Sequence, residues 1–169
     1  MHRLKTLGVC MVVLSLVGIA LAALTFHSGP TFTNTHDSWS STANISGLGG
    51  DHVNAIIAAT GTATYTCVNG GGNTAPGQKL VTSTTTGSTQ SSTSANGRDT
   101  YSLTVTFAPA ATVNGKTAGC PNGNWTGENP VIQGTPSAIL TLSLASTGAT
   151  VFGPSQSCPA NTNGTCPGF

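Results

Sequence analysis

Five side chains that could take part in acid–base or metal chemistry lie in one stretch near the N-terminus: His27, His36, Asp37, Asp51 and His52. Imidazole nitrogens and carboxylate oxygens are common ligands of transition metals. The spacing of these residues matches no metal-binding signature, and the exposed residues of a linker would show the same composition. We therefore predict no metal site and no bound cofactor.

The sequence also lacks a recognisable nucleophile–base arrangement. Serine is abundant, but the G-x-S-x-G pattern of serine hydrolases is absent. Asp51 and His52 are adjacent, so their side chains would point to opposite faces of a strand. Glu128 is the only glutamate, and no spacing pairs it with an aspartate for glycoside hydrolysis. We predict no catalytic residue.

Aromatic side chains offer a different chemistry, since their faces stack on the apolar faces of ligands such as sugars. The candidate ligand contacts are Trp125, Trp39 and Tyr101. Trp125 is the strongest of them because Asn, Gly and Thr residues surround it in a loop-like segment. The alternative is that Trp125 covers the end of the core beside Cys67 and Cys120.

These residues belong to a threonine-rich chain with very little charge. Nine of its 169 residues are Asp, Glu, Lys or Arg, against 29 Thr, 17 Ser and 22 Gly, whereas about 25% of the residues of a soluble domain are usually charged. Without a basic patch the chain is not expected to bind nucleic acid. It also has no polybasic segment for a membrane surface.

Residues 1–23 have the composition of an export signal peptide. Arg3 and Lys5 precede an apolar run over residues 7–24, and Ala20 and Ala22 supply the small residues of a cleavage site. An uncleaved membrane anchor is the alternative, because the length of this run is near the minimum for a spanning helix. We expect a secreted, extracellular protein.

Four cysteines follow the signal segment, and an even number in an exported chain predicts two disulfides. Three pairings are possible. We favour Cys67–Cys120 and Cys158–Cys166, because the second pair would close a small loop in CPANTNGTC. The first pair would close a long loop, which is worth on the order of 4 kcal/mol in the chain-entropy description.

Alternation of apolar and hydroxyl-bearing residues marks the strands. Over residues 53–67 the apolar side chains and Cys67 share one face and the threonines share the other. Cys67 is therefore expected to face the core, where a bridge between two sheets would lie. Residues 100–107 and 138–145 alternate in the same way. Shorter strands are predicted at residues 79–86, 131–132 and 149–152.

Short strands separated by turn signals, with no helical stretch after the signal segment, predict an all-β chain. The likeliest architecture is an antiparallel immunoglobulin-like β-sandwich formed by residues 51–169. Residues 24–50 are expected to form a linker or an irregular first strand. The Ser- and Thr-rich stretch at residues 87–99 should be an exposed hairpin or a mobile loop, and Asn114-Gly115 should form a tight turn.

Two segments carry a resemblance to known proteins. The first is the strand end TYTC at residues 64–67 with the following loop that closes in APGQ at 75–78, and the second is CPNGNWT at 120–126. Together they resemble a family of small, secreted, uncharacterised proteins from actinobacteria and similar bacteria, over roughly residues 53–152. The resemblance implies a secreted β domain with a Cys67–Cys120 bridge. It brings no known activity and no catalytic residues.

The function that the sequence favours is non-enzymatic binding at the cell surface or in the extracellular medium, with a glycan or a small molecule as ligand. A cell-wall glycan or a secreted protein is the expected partner. One alternative is an inhibitor or effector that presents the loop between Cys158 and Cys166 to a partner protein. A second alternative is a hydrolase with an unrecognised site.

Overall fold

The computed structural model describes residues 24–94, 96–161 and 163–167. The predicted signal peptide at residues 1–23 lies outside these ranges. The elements, in chain order, are β1 (Thr25–Thr35), β2 (Ser38–Ser46), β3 (Val53–Val68), β4 (Thr74–Pro76), β5 (Val81–Gln90), β6 (Ser92–Thr93), β7 (Asp99–Thr106), β8 (Thr112–Asn114), α1 (Gly115–Ala118), β9 (Thr126–Leu144), β10 (Thr150–Phe152), β11 (Cys158–Pro159) and β12 (Gly164–Thr165).

Two antiparallel sheets pack around one core, which confirms the prediction of an all-β sandwich. Sheet A has the strand order β12-β1-β2-β7-β6. Sheet B is built on the long pair β3 and β9, with β5 and β4 also paired to β3, and with β8, β10 and β11 paired to β9. No helix in the part of the chain that the structure describes is long and apolar enough to cross a membrane.

The main core lies between the sheets and takes every second residue of the central strands, as the period of a β-strand requires. The predicted inward faces of residues 53–67, 100–107 and 138–145 are confirmed. Its largest fully buried members are Trp39, Phe32, Ile45, Ile57, Leu140 and Leu142. Burial of each such side chain contributes roughly 1.5–3 kcal/mol.

Residues 24–50 are not a linker; they form two strands, which is more than the irregular first strand that was the other alternative. They contain β1 and β2, which pair with each other along their length and place Phe32 and Trp39 at the centre of the core. The sandwich therefore begins near Thr25 and not at residue 51. Ser and Thr on the solvent face of these strands hide the alternation, because a sequence so rich in hydroxyls has the composition of a loop.

Three other local predictions have different outcomes in the structure. The Ser- and Thr-rich stretch continues β5 to Gln90 and then forms a β6–β7 hairpin, which is the hairpin alternative. The predicted strands at residues 131–132 and 138–145 are parts of the single strand β9. The pairing of β9 with β3 contains two register shifts. Asn114 does not form a simple turn. Its side chain accepts a hydrogen bond from the Lys116 N–H and caps the one-turn helix α1.

Both predicted disulfides are present, Cys67–Cys120 and Cys158–Cys166. Two disulfides suggest an oxidising environment of the extracellular type. The first bridge does not connect the sheets across the core as expected, because Cys120 lies in the segment between α1 and β9. It closes a second, smaller apolar cluster around Ala63, Tyr65 and Ala118.

We predict that replacing Cys67 and Cys120 together by alanine lowers the free energy of unfolding by about 4 kcal/mol, because the unfolded chain is released from a long closed loop. Urea unfolding followed by circular dichroism measures this change. A decrease below about 1 kcal/mol would show that the bridge does not constrain the unfolded chain as described.

Candidate functional site

His52, one of the five acid–base candidates, belongs to a cluster of polar side chains at one end of the sandwich. Asp99, which begins β7 and is 5% exposed, binds His52, which precedes β3, with 2.7 Å between Asp99 Oδ2 and His52 Nδ1. Ser91 and Thr93 donate hydrogen bonds to the same carboxylate at 2.7 and 2.8 Å. Ser91 Oγ also accepts from the Val53 N–H at 2.8 Å. The cluster therefore connects the two sheets.

This cluster is not arranged for nucleophilic catalysis. Such a site needs a hydroxyl bonded to the imidazole that removes its proton. Here the Ser91 hydroxyl bonds to the carboxylate, so the base and the nucleophile are not paired. The nearby Asp51 carboxylate is occupied by the hydroxyl and the N–H of Ser146 and by the His52 N–H.

The five residues weighed as metal ligands do not come together. His36 and Asp37 precede β2, whereas Asp51 and His52 lie at its other end, where Ile45 pairs with Asp99. Two ends of a strand of this length are separated by roughly 27 Å. In residues 24–94, 96–161 and 163–167, no group of three or more His, Cys, Asp or Glu side chains is placed to share a metal ion.

The free energy of unfolding at acidic pH should depend on Asp99. Burial would raise the pKa of this carboxyl, but the hydrogen bonds from Ser91, His52 and Thr93 outweigh burial and hold the pKa below its ordinary value. The unfolded chain, with a carboxyl pKa near 3.9, therefore takes up a proton at a higher pH than the folded protein does. The contribution of Asp99 is present above about pH 4 and is lost as the pH falls through its folded pKa.

We predict that Asp99→Asn lowers the free energy of unfolding by about 2 kcal/mol at pH 7 and flattens its decline below pH 4, because charge-assisted hydrogen bonds are lost. Urea unfolding between pH 2 and pH 8 measures both effects. Glu128→Gln is the matched control for the loss of one carboxylate. An acid decline equally steep in Asp99→Asn and in the unmodified protein would contradict this role.

A cleft of about 360 Å³ lies at the opposite end of the sandwich. We call it the staple cleft, because one wall is the loop closed by Cys158–Cys166. Its polar lining residues are His36, Asp37, Thr135, Asn161 and Asn163. The other lining residues are Ile132, Gly134, Pro136 and Ala160. A volume in this range with a few convergent polar groups is typical of small-ligand sites.

The first wall of the staple cleft is the two-residue turn between β1 and β2. His36 has a φ of 61°, and Asp37 does not share a positive φ. In hairpins with this pattern the first central residue is normally glycine, because a side chain there costs about 1–2 kcal/mol. The backbone of His36 is therefore strained, and residues with strained backbones are concentrated at binding and active sites.

A hydrogen-bond network joins this turn to the second wall. The Asn163 side chain accepts from the His36 N–H at 3.0 Å, and the Asn163 N–H donates to Asn34 Oδ1 at 3.2 Å. Asn34, which is 2% exposed, donates to the carbonyls of His36 and Ser38. Asn163 also has a positive φ, of 43°. Two of the three non-glycine residues with positive φ in the described ranges therefore line one cleft.

The loop of the second wall is fixed to the body of the protein. Cys158 and Cys166 are both buried, and the Trp39 indole donates to the Cys158 carbonyl at 3.0 Å. The Ala160 N–H donates to the Pro136 carbonyl, and the Cys166 N–H to the Phe32 carbonyl. The two ends of the loop that carries Asn161 and Asn163 are thus held in place, which reduces the entropy cost of binding.

Two of the three aromatic side chains predicted as ligand contacts are core residues, which corrects that prediction. Trp39 has no exposed surface, and Tyr101 is 6% exposed with its hydroxyl 2.9 Å from Ser41 Oγ. Neither ring offers a face to a ligand. Trp125 is half-buried against the cluster of Ala63, Tyr65 and Cys67, so its surroundings fit the alternative in which it covers the end of the core.

The sequence pattern suggested His36 and Asp37 only as metal ligands. It gave no sign that they lie near Asn161 and Asn163. The signal that could have found the cleft is the pair of Asn residues within CPANTNGTC, because a short disulfide loop holds its polar residues in place. Comparison of the chain with protein-family models, with curated proteins and with solved structures gives no match in any of the three.

Proposed function

We propose that this protein is an exported, non-enzymatic β-sandwich that binds a small polar ligand, such as a sugar, in the staple cleft. The observation that carries the proposal is the convergence of a strained His36, a carboxylate and two amides on one preformed cleft. Carboxylate and amide groups bind the adjacent hydroxyls of a sugar, and Ile132, Pro136 and Ala160 suit its apolar C–H face.

An immunoglobulin-like arrangement is part of the proposal. The order β1-β2-β7 in one sheet and β5-β3-β9-β10 in the other matches the strands A-B-E and C′-C-F-G of that architecture. In that assignment the staple cleft includes the loop between strands A and B. Sandwich loops at the ends of the sheets are frequent binding sites, because the sheets give them a rigid support.

The extracellular location is supported by two disulfides and by the composition of the first 23 residues. The lining of the staple cleft contains no Lys or Arg, which fits a neutral ligand better than a phosphorylated one, since anions require cationic side chains. Kinship with small secreted actinobacterial proteins stays a prediction from the two short motifs.

The alternative of an inhibitor has less support. An inhibitory loop must protrude to enter the site of a partner, whereas the Cys158–Cys166 loop lies against Trp39, Phe32 and Pro136. The alternative of a hydrolase would need a nucleophile beside His52, and Ser91 bonds to Asp99 instead.

We predict that His36→Gly weakens ligand binding about tenfold while leaving the fold as stable as before or more stable, because glycine relieves the positive φ but removes the imidazole. The assay is an NMR titration of the purified protein with a panel of neutral mono- and disaccharides, together with a thermal melt. His27→Gln is the matched control, since His27 lies on β1 outside the cleft.

Binding of no member of the panel would argue against a sugar ligand. Equal affinities of His36→Gly and the unmodified protein would remove the staple cleft as the site.

A further inference from the structure

The outward face of sheet A carries a regular array of hydroxyl groups. Three residues from each of β1, β2 and β7, nine in all, occupy matching register positions on this face. We call them the hydroxyl grid; its members are Thr31, Thr33, Thr35, Ser38, Ser40, Thr42, Ser102, Thr104 and Thr106. Each is exposed or half-buried. Neighbouring residue positions of the grid lie about 4.8 Å apart across strands and about 6.7 Å apart along a strand.

The side chains of the grid are ordered by bonds to one another. The hydroxyl oxygens of Thr31 and Thr42 are 2.9 Å apart, those of Ser40 and Thr104 are 2.9 Å apart, and those of Ser38 and Thr106 are 3.0 Å apart. In the pairs Ser40–Thr104 and Ser38–Thr106 one hydroxyl uses its hydrogen within the pair, and the other keeps its hydrogen for an outside acceptor. The Thr31 hydroxyl can also donate to the Thr42 carbonyl, at 3.3 Å. The grid can therefore donate and accept hydrogen bonds with little further loss of side-chain entropy.

The same face has an acceptor without a donor. Asn44 follows Thr42 on the outward side of β2 and pairs with Thr100 of β7. Its Oδ1 atom is buried and has no hydrogen-bond partner among the described residues. A buried oxygen of this kind normally has a partner. Because the atom has almost no exposed surface, that partner would be a small donor such as water and not the polymer.

Charge and apolar surface are missing from the grid. In the described ranges the charged residues lie in turns and loops, in α1 or in the first residues of a strand: Asp37, Asp51, Lys79, Arg98, Asp99, Lys116 and Glu128. The grid therefore attracts neither anions nor cations. It also lacks the aromatic and large apolar anchors on which protein interfaces depend.

We propose that the hydroxyl grid binds an uncharged polysaccharide that extends from the staple cleft along sheet A. The inference rests on the proposed function, because one end of the polymer would bind in the staple cleft. The row of Thr35, Ser38 and Thr106 borders the turn of His36 and Asp37 at that cleft. The ligand hydroxyls alternate as donors and acceptors, as those of the grid do. The three strands of the grid are twisted, as in any β-sheet. A flexible polymer can follow this twist, whereas the flat surface of a crystal such as ice cannot.

The binding is the sum of many weak contacts. Each neutral hydrogen bond contributes little after exchange with water, so a single sugar unit will not be held by the grid. A polymer gains from several contacts at once. Because no charges take part, we expect retention to be nearly the same in low and high salt.

The test compares two triple variants on the two faces of the sandwich. Thr31→Val, Thr42→Val and Thr104→Val remove hydroxyls from the grid while keeping branched side chains that suit strands. Thr82→Val, Thr84→Val and Thr86→Val do the same on β5, whose side chains at these positions are exposed on the other sheet. Retention of each purified protein is measured on insoluble cellulose, chitin and starch, and binding of the cleft ligand by NMR titration.

We expect at least one polysaccharide to retain the unmodified protein and the β5 variant, and the grid variant to be retained roughly tenfold less. Cleft binding of small sugars should be unchanged in both variants. Equal loss in both triple variants would overturn the role of the grid. Retention by none of the three polymers would also overturn the role of the grid, even if small sugars still bound the cleft. If the protein then shaped growing ice crystals, the grid would be assigned to binding of the ice lattice.

Discussion

The fold depends on the separation of side chains by the two-residue period of the β-strand. In β2, Trp39, Ala43 and Ile45 enter the core, while Ser38, Ser40 and Thr42 face water. The hydroxyls hydrate the outer faces without lysine or glutamate, and their branched carbons suit strands. Because a slip of one residue would exchange the two sets, burial of the apolar set also fixes the register of the sheets.

The scarcity of charge limits chemistry to the ends of the sandwich. The one buried carboxylate of the described core, Asp99, is fully occupied by Ser91, Thr93 and His52, and it serves to connect the sheets. At the opposite end, His36 and Asp37 are not used in this way. They face a preformed cleft whose far wall is fixed by a disulfide and by the Trp39 indole. Under the proposed function, stability and ligand binding therefore depend on different ends of the molecule.

The sequence predicted those features that depend on local pattern. Alternation over residues 53–67 and 100–107 identified β3 and β7, and spacing identified the pair Cys158–Cys166. Features that depend on distant residues were missed. Trp39 looked like a ligand contact because its partners, Phe32 and the Cys158 carbonyl, are supplied by other strands. The cleft escaped detection because its two walls are more than 120 residues apart in the chain.

The central claim is that ligand recognition occurs at the staple cleft and not at the half-buried Trp125 or at the Asp99 cluster. Mapping of amide chemical shifts on addition of a neutral saccharide tests it most directly. The account predicts shifts grouped at residues 34–38, 132–136 and 160–166. Shifts grouped around Trp125, or around His52 and Asp99, would contradict it.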